Sequence, residues 1–89
     1  MLHASPSLTL CPLTSDIVPN AQLRLLVEPG STNGLRVRSQ VQVDKIQTVE
    51  RKRVREPIGS LNDEEMHQID LALAFHLNLY APSSREESP

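Results

Sequence analysis

The chain has 89 residues and a net charge of −2, with one cysteine, one phenylalanine, one tyrosine and no tryptophan. A chain of this length forms one domain with a small core, which must here be aliphatic because aromatic residues are so few. A single cysteine excludes an internal disulfide, and no apolar run reaches the roughly 18 residues of a membrane-spanning helix. No basic stretch followed by an apolar segment marks a signal peptide. These features predict a cytoplasmic protein with no membrane partner.

The charges are unevenly distributed along the chain. Between Arg24 and Glu56 there are eight basic and four acidic residues, whereas from Pro57 onward there are six acidic residues and one basic residue. A basic middle segment can meet the phosphates of nucleic acid, and the alternative is a solvated loop with ordinary surface charge. The candidate RNA-binding residues are Lys45, Arg51, Lys52, Arg53 and Arg55.

The first half of the chain reads as short strands joined by turns. Alternating apolar residues predict a strand over residues 7–13, and Pro12, which has no amide hydrogen to donate, places it at a sheet edge or at its end. Short polar side chains at residues 14–16 then predict a turn. A second strand is predicted over residues 21–27, and a strong turn signal follows at residues 29–34.

Further alternation predicts strands over residues 35–38 and 40–46. In the second of these, Val41 and Val43 alternate with Gln40, Gln42 and Asp44. Successive strands joined by turns favour an antiparallel barrel or sheet over strand–helix–strand units.

A C-terminal helix is the best-defined predicted element. Asn62 can cap it, and Glu65 stands three residues later in the capping-box position. At helical spacing, one apolar stripe should cover the sheet, and it comprises Met66, Ile69, Leu73, Leu77 and Tyr80.

A second apolar ridge lies on the opposite side of the helix and is formed by Leu71 and Phe75. It predicts a subunit contact, and the alternative is that these are scattered apolar residues of the surface. The polar residues 81–89 are predicted to be a disordered tail.

Four short sequence motifs, taken in their order along the chain, resemble those of a known family. They are Cys11-Pro12-Leu13-Thr14-Ser15, Asn33-Gly34-Leu35, the run from Ser39 to Val49, and Ile58-Gly59-Ser60-Leu61 ahead of the helix. Together they resemble the PemK/MazF family of bacterial toxins. The resemblance implies an SH3-like antiparallel β-barrel (PemK/MazF/CcdB-like) with a C-terminal helix, over a domain at residues 7–80 that follows an extension at residues 1–6. Upstream of Leu8, nothing resembles the family's first strands and Arg-Pro segment, so we expect a barrel that is incomplete at its N-terminus.

The resemblance also implies a chemistry, which is RNA cleavage without metal or cofactor by attack of the 2′-hydroxyl group. Such a site needs a base, an acid and groups that stabilise the phosphorane. Thr14 matches the family threonine beside the scissile phosphate, Ser15 is a weaker candidate for the same phosphate, and Asp44 matches an acidic position that serves some branches as general base. Read without the resemblance, Thr14 is a turn-capping side chain and Asp44 an exposed strand carboxylate paired with Lys45 or an arginine.

The implied function is that of a toxin-type endoribonuclease, which cleaves single-stranded mRNA, forms a homodimer and is inhibited by a cognate antitoxin. The expected arginine of the Arg-Pro segment is not found, and Gln42 stands where some branches have a second arginine. The alternative function is therefore a non-catalytic remnant that keeps the dimer and antitoxin surfaces. A generic barrel module that binds peptides or nucleic acid is a third possibility.

Overall fold

The computed structural model describes residues 6–78. It contains five short strands and one helix, with a 3-10 turn after each of the last two strands. In chain order, the elements are β1 (Ser7–Leu10), β2 (Leu13–Thr14), β3 (Arg24–Val27), β4 (Ser39–Gln42), the turn Val43–Lys45, β5 (Gln47–Glu50), the turn Arg51–Arg53 and α1 (Asp63–His76).

The strands form two antiparallel sheets. β1 pairs with β5 alone, and β4 lies in the middle of a three-stranded sheet with β2 on one side and β3 on the other. The predicted class, mainly β with antiparallel pairing and a C-terminal helix, is confirmed. Within residues 6–78 the strands do not close into a complete barrel, which agrees with the expectation of an incomplete one.

Three strand predictions are wrong in part. The strand predicted over residues 21–27 begins only at Arg24. The strand predicted over residues 7–13 is interrupted after Leu10, because Pro12 cannot donate to a ladder and instead offers its carbonyl oxygen to the amide of Gln42 at 2.8 Å. The strand predicted over residues 40–46 ends at Gln42, and the chain then enters the 3-10 turn that contains Asp44. Asp44 is therefore a turn residue and not a strand residue.

The strand predicted over residues 35–38 does not form. Leu35 packs against the core, but Arg36, Val37 and Arg38 are all exposed, so the burial of these residues does not alternate. Within residues 6–78 no strand pairs with them. Residues 35–38 instead belong to a loop that is held together by the buried side chain of Asn33. The Asn33 Oδ1 atom accepts the backbone N–H groups of Gly30 and Leu35, both at 3.0 Å.

Three valines form the core, as the aliphatic composition predicts. Val27, Val41 and Val43 come from β3, β4 and the turn after β4, and each is at most 4% exposed. The partly buried residues that pack around them are Cys11, Leu25, Leu35, Leu61, Ile69, Ala72 and Leu73. The core is small because each strand is short, so single contacts at its edge matter for stability.

Helix α1 begins with the predicted capping box. The Asn62 side chain accepts the Glu65 amide at 2.7 Å, and the Glu65 carboxylate accepts the Asn62 amide at 2.9 Å. The core-facing stripe is only partly as predicted: Ile69 and Leu73 pack on the core, whereas Met66 is 44% exposed. Leu77, at the helix C-cap, is 46% exposed. Tyr80 and residues 81–89 lie outside the described residues, as does most of the predicted extension at residues 1–6.

The segment before α1 lies directly against the Asn33 loop. The amide of Ser60 donates to the carbonyl of Thr32 at 2.9 Å. Gly34 has φ +70°, and a Cβ atom there would collide with the carbonyl of Ile58; a Cβ atom on Gly59 would collide with the backbone of Asn33. Only glycine permits this approach of the two backbones.

Within residues 6–78, no helix has both the length and the apolar character needed to cross a membrane.

Candidate functional site

Thr14 stands at the end of β2, with its hydroxyl group held by the turn that follows. Its Cα partner across the sheet is Gln40, and its Oγ1 atom accepts the backbone N–H of Asp16 at 3.0 Å. A hydroxyl that accepts a hydrogen bond still has its own proton to donate. Thr14 can therefore cap the turn and donate to a phosphate oxygen at the same time. Ser15, exposed to solvent, follows directly.

The far end of this turn is held by Gln40, which was not predicted as a site residue. Gln40 is 5% exposed, and its side-chain amide makes two hydrogen bonds with the backbone of Val18. The alternation of Gln40 with Val41 and Val43 predicted a strand but not the burial of Gln40. No local signal in the sequence reveals a contact between residues 22 positions apart.

Asp44 forms an ion pair with Arg24 of β3. The Arg24 Nε atom lies 3.1 Å from Oδ1 of Asp44, and Nη2 lies 3.4 Å from Oδ2, so the contact is bidentate. Hydrogen bonding from Arg24 is the main cause that lowers the pKa of Asp44, and the charges of Arg24 and Lys45 act in the same direction. Asp44 is thus held ionised. Arg24 is a candidate cation that the sequence analysis did not single out.

The structure brings Thr14 and Ser15 together but not with Asp44. β4 separates the two groups, because β2 lies on one side of it and the Arg24 of β3 on the other. No hydrogen bond joins Asp44 to either residue within the described part of the chain. Two strand spacings, about 10 Å, separate β2 from β3.

The candidate RNA-binding residues divide between the two 3-10 turns. Lys45 belongs to the turn before β5, and the others lie in the turn after it or, for Arg55, just beyond. All are exposed. The ion pairs of residues 6–78 include Arg24–Asp44 and Arg38–Glu28, the latter at 2.9 Å. Neither of these two pairs involves a candidate RNA-binding residue: Lys45, Arg51, Lys52, Arg53 or Arg55.

One cavity is apolar and is distinct from these polar groups. It has a volume of about 440 Å³ and lies between β1, β2, the segment before α1 and α1 itself. Leu10, Leu35, Ile58 and Leu73 contribute to a lining that contains no charged side chain. Cys11 also faces it, and burial raises the pKa of its thiol, so this thiol is a poor nucleophile.

A second depression, of about 340 Å³, lies between α1 and β3. Leu71 and Phe75 contribute its helix side, and they are 55% and 58% exposed. Leu23 and Leu25 contribute the strand side. β3 pairs only with β4, so its other edge is open within the described residues. The ridge of Leu71 and Phe75 thus continues into a sheet edge.

No group of three or more histidine, cysteine, aspartate or glutamate side chains within residues 6–78 is placed to hold a metal ion.

Comparison with known proteins gives one consistent result. The model of the family described as "PemK-like, MazF-like toxin of type II toxin-antitoxin system" matches residues 2–77. Endoribonuclease MazF9 of Mycobacterium tuberculosis is 32% identical over 74 residues, which are 83% of this chain and 62% of that protein. The probable endoribonuclease MazF of Mycolicibacterium smegmatis is 32% identical over 76 residues, which are 85% of this chain and 70% of that protein.

Two solved structures show the same fold. Mycobacterium tuberculosis toxin MazF-mt6 matches with a TM-score of 0.76 at 22% identity, and the match covers 90% of this chain and 78% of that one. A second structure, the crystal structure of an Mtb toxin, has a TM-score of 0.72 at 23% identity, and the match covers 84% of this chain and 79% of that one. The chain thus spans less than two thirds of the length of MazF9 but more than three quarters of these two structures.

Proposed function

The chain belongs to the PemK-like, MazF-like toxin family of type II toxin-antitoxin systems, and from this premise we propose that it is an endoribonuclease that cleaves single-stranded RNA. The observation that carries the proposal is the match to this family over residues 2–77, which includes every candidate site residue. The relatives from M. tuberculosis and M. smegmatis, which are 32% identical, are both named as endoribonucleases, the second as a probable one.

In the proposed reaction, the 2′-hydroxyl oxygen loses its proton to Asp44 and attacks the adjacent phosphorus, and the 5′-oxygen of the next nucleotide leaves and takes up a proton from solvent. The products are a 2′,3′-cyclic phosphate and a 5′-hydroxyl end. Thr14 donates its free proton to a nonbridging oxygen, and Ser15 contacts the same phosphate. Donors aimed at developing charge are worth about 10²–10³-fold in rate. The Asp16 amide, 3.0 Å from Oγ1 of Thr14, directs the Thr14 hydroxyl proton away from the turn.

Asp44 is the proposed general base, and Arg24 supplies positive charge beside it. A lowered pKa keeps Asp44 ready to accept a proton at neutral pH but makes it a weaker base, because base strength falls with pKa. An RNA strand that contacts both Thr14 and Asp44 crosses β4 obliquely, because Thr14 lies opposite Gln40 near the start of β4 and Asp44 follows its end at Gln42. The sideways distance from β2 to β3 is about 10 Å, and the path also runs along β4. Unstacked single-stranded RNA is flexible enough to follow such a path.

The proposed partners follow from the surfaces that flank this path. Lys45 and the basic residues of the second 3-10 turn bind phosphates of the RNA, since their side chains are exposed and positively charged. A cognate antitoxin covers the same groups. A second copy of the chain packs on Leu71 and Phe75, which are more exposed than residues of a monomer core.

The test is cleavage of labelled single-stranded RNA by the purified chain and by two threonine variants. Thr14→Ala should reduce the rate by about 10²-fold or more. Thr9→Ala is the matched control, because Thr9 also ends in a hydroxyl group, 3.2 Å from that of Thr48, but lies in β1 away from the turn. Equal rates for wild type and Thr14→Ala would remove Thr14 from the mechanism. No cleavage by the wild type would defeat the proposal and favour the non-catalytic alternative.

A further inference from the structure

The turn after β2 is attached to one residue at both of its ends. At its start, Thr14 pairs with Gln40 through the antiparallel ladder. Four residues later, the Nε2 atom of Gln40 donates to the carbonyl oxygen of Val18 at 2.9 Å, and the Val18 amide donates to Oε1 of Gln40 at 3.1 Å. The side chain of Gln40 thus replaces a backbone partner for Val18.

These two bonds leave little freedom to the residues between them. A primary amide that both donates to and accepts from one backbone unit reproduces the pair of bonds that two strand residues exchange. Within the turn, the bond from the Asp16 amide to Thr14 adds a third constraint. These bonds therefore restrict the backbone conformation at Ser15, which lies between them. Gln40 itself is 5% exposed, so it is shielded from a bound polymer.

We propose that Gln40 is a positioning residue for the Thr14–Ser15 phosphate site, and this rests on the proposed function of that site. Its side chain does not touch the substrate. It acts through Val18, because a turn that is released at this point lets the Thr14 hydroxyl and Ser15 leave the geometry in which both meet one phosphate. Misplacement of reacting groups by about 1 Å can cost 10²-fold in rate.

Gln40→Met is the appropriate variant, since methionine has a similar length and no amide group. The Val18 backbone groups it leaves unpaired can turn to water, because Val18 is 44% exposed. The fold should therefore survive. Ser39→Ala is the matched control: Ser39 is the neighbouring residue in β4, is also 5% exposed, and its hydroxyl bonds to the carbonyl of Val37 on another loop.

Two readouts together separate positioning from a general effect on stability. Hydrogen exchange followed by NMR should show the Val18 amide exchanging about tenfold faster in Gln40→Met, since one net hydrogen bond is lost there, while amides of β3 and α1 keep their protection. Steady-state cleavage of RNA should show kcat reduced by about 10- to 100-fold with KM little changed. Ser39→Ala should alter neither quantity.

Each other outcome overturns a defined part of the account. Unchanged exchange at Val18, or faster exchange of all amides alike, would mean that Gln40 does not hold this turn. Faster exchange at Val18 with wild-type kcat would mean that the turn does not need to be held for the reaction. An inactive wild-type chain would defeat the proposed function instead, and it would do so before any Gln40 variant is compared.

Discussion

Arg24 and Asp44 form a bidentate ion pair in which the arginine side chain is 13% exposed and the carboxylate 34% exposed. The pair connects β3 to the 3-10 turn that follows β4, so it fixes the one carboxylate that the proposed reaction uses. A planar guanidinium group that faces a carboxylate through two bonds sets its orientation as well as its charge. Arg24 therefore both orients Asp44 and keeps it ionised.

This pair should make stability depend on pH in the acid range. Because the folded-state pKa of Asp44 is lowered, the contribution of the pair is fully present above the unfolded pKa of about 3.9 and is lost as the pH falls through the folded pKa. Wild type should therefore be more stable than Asp44→Asn at pH 7, and the difference should vanish in strong acid. Urea unfolding at a series of pH values measures this.

Glu28→Gln is the control for that series. Its partner Arg38 lies 2.9 Å away, but both side chains are about 60% exposed, so solvent screens this pair more strongly. Glu28→Gln should change stability less than Asp44→Asn at pH 7. A difference between wild type and Asp44→Asn that is the same at every pH would show that the pair does not stabilise the fold through ionisation of Asp44.

Gly34→Ala should destabilise the protein strongly, because its backbone is at φ +70° and the added methyl group would collide with the carbonyl of Ile58. Overpacking of this kind costs about 1–3 kcal/mol. Gly30→Ala is the matched control in the same loop, since its methyl group would meet only the side chain of Asn33 at an ordinary 3.6 Å. Thermal and urea unfolding should show a loss for the first variant and near-neutrality for the second. Equal effects would contradict the packing of this loop against residues 58–60.

The contribution of the basic residues can be read from the salt dependence of RNA binding. Each phosphate contact to a single strand contributes about −0.7 to the slope of log K against log salt. The double variant Arg53→Gln, Arg55→Gln should flatten the slope by about 1.4, if each residue contacts one phosphate. Arg38→Gln, whose guanidinium is already paired with Glu28, should leave it nearly unchanged. An unchanged slope in the double variant would mean that these residues form an ordinary solvated loop and do not contact RNA phosphates.

Substitution of the exposed helix ridge should shift the oligomeric state. Phe75→Glu places a charge in the depression between α1 and β3 and should convert a dimer to a monomer in analytical ultracentrifugation. Leu77→Glu is the control, because Leu77 is 46% exposed but does not line that depression. A wild type that is monomeric at micromolar concentration would show that the ridge is not a subunit contact.

The elements that the sequence predicted correctly depend on neighbours along the chain. The Asn62–Glu65 capping box spans three residues, and its side chains and backbone meet wherever the helix starts. Thr14 was predicted as a site residue from a family motif. Its own residue type and position suggested only a turn-capping side chain. The structure adds that the turn cap is present and leaves a proton free.

What the sequence did not predict depends on contacts between distant segments. Arg24 meets Asp44 across 20 positions and Gln40 meets Val18 across 22, so no local spacing reveals either contact. The alternation at residues 35–38 predicted a strand, but a strand needs a neighbour, and the Asn33 side chain takes up the backbone groups of that loop instead. Burial of Gln40 was missed for the same reason: its hydrogen-bond partner lies on another segment.

The most direct test of the proposed endoribonuclease is cleavage of one RNA sequence in two chemical forms, with the product ends identified by mass spectrometry. The proposal predicts that the all-ribose strand is cut to a 2′,3′-cyclic phosphate and a 5′-hydroxyl end. It also predicts that a strand with a single 2′-deoxy nucleotide at the cut position is bound but left intact, because the nucleophile is missing. Failure to cut the all-ribose strand, or cutting of the deoxy-substituted strand at the same position, would contradict the account.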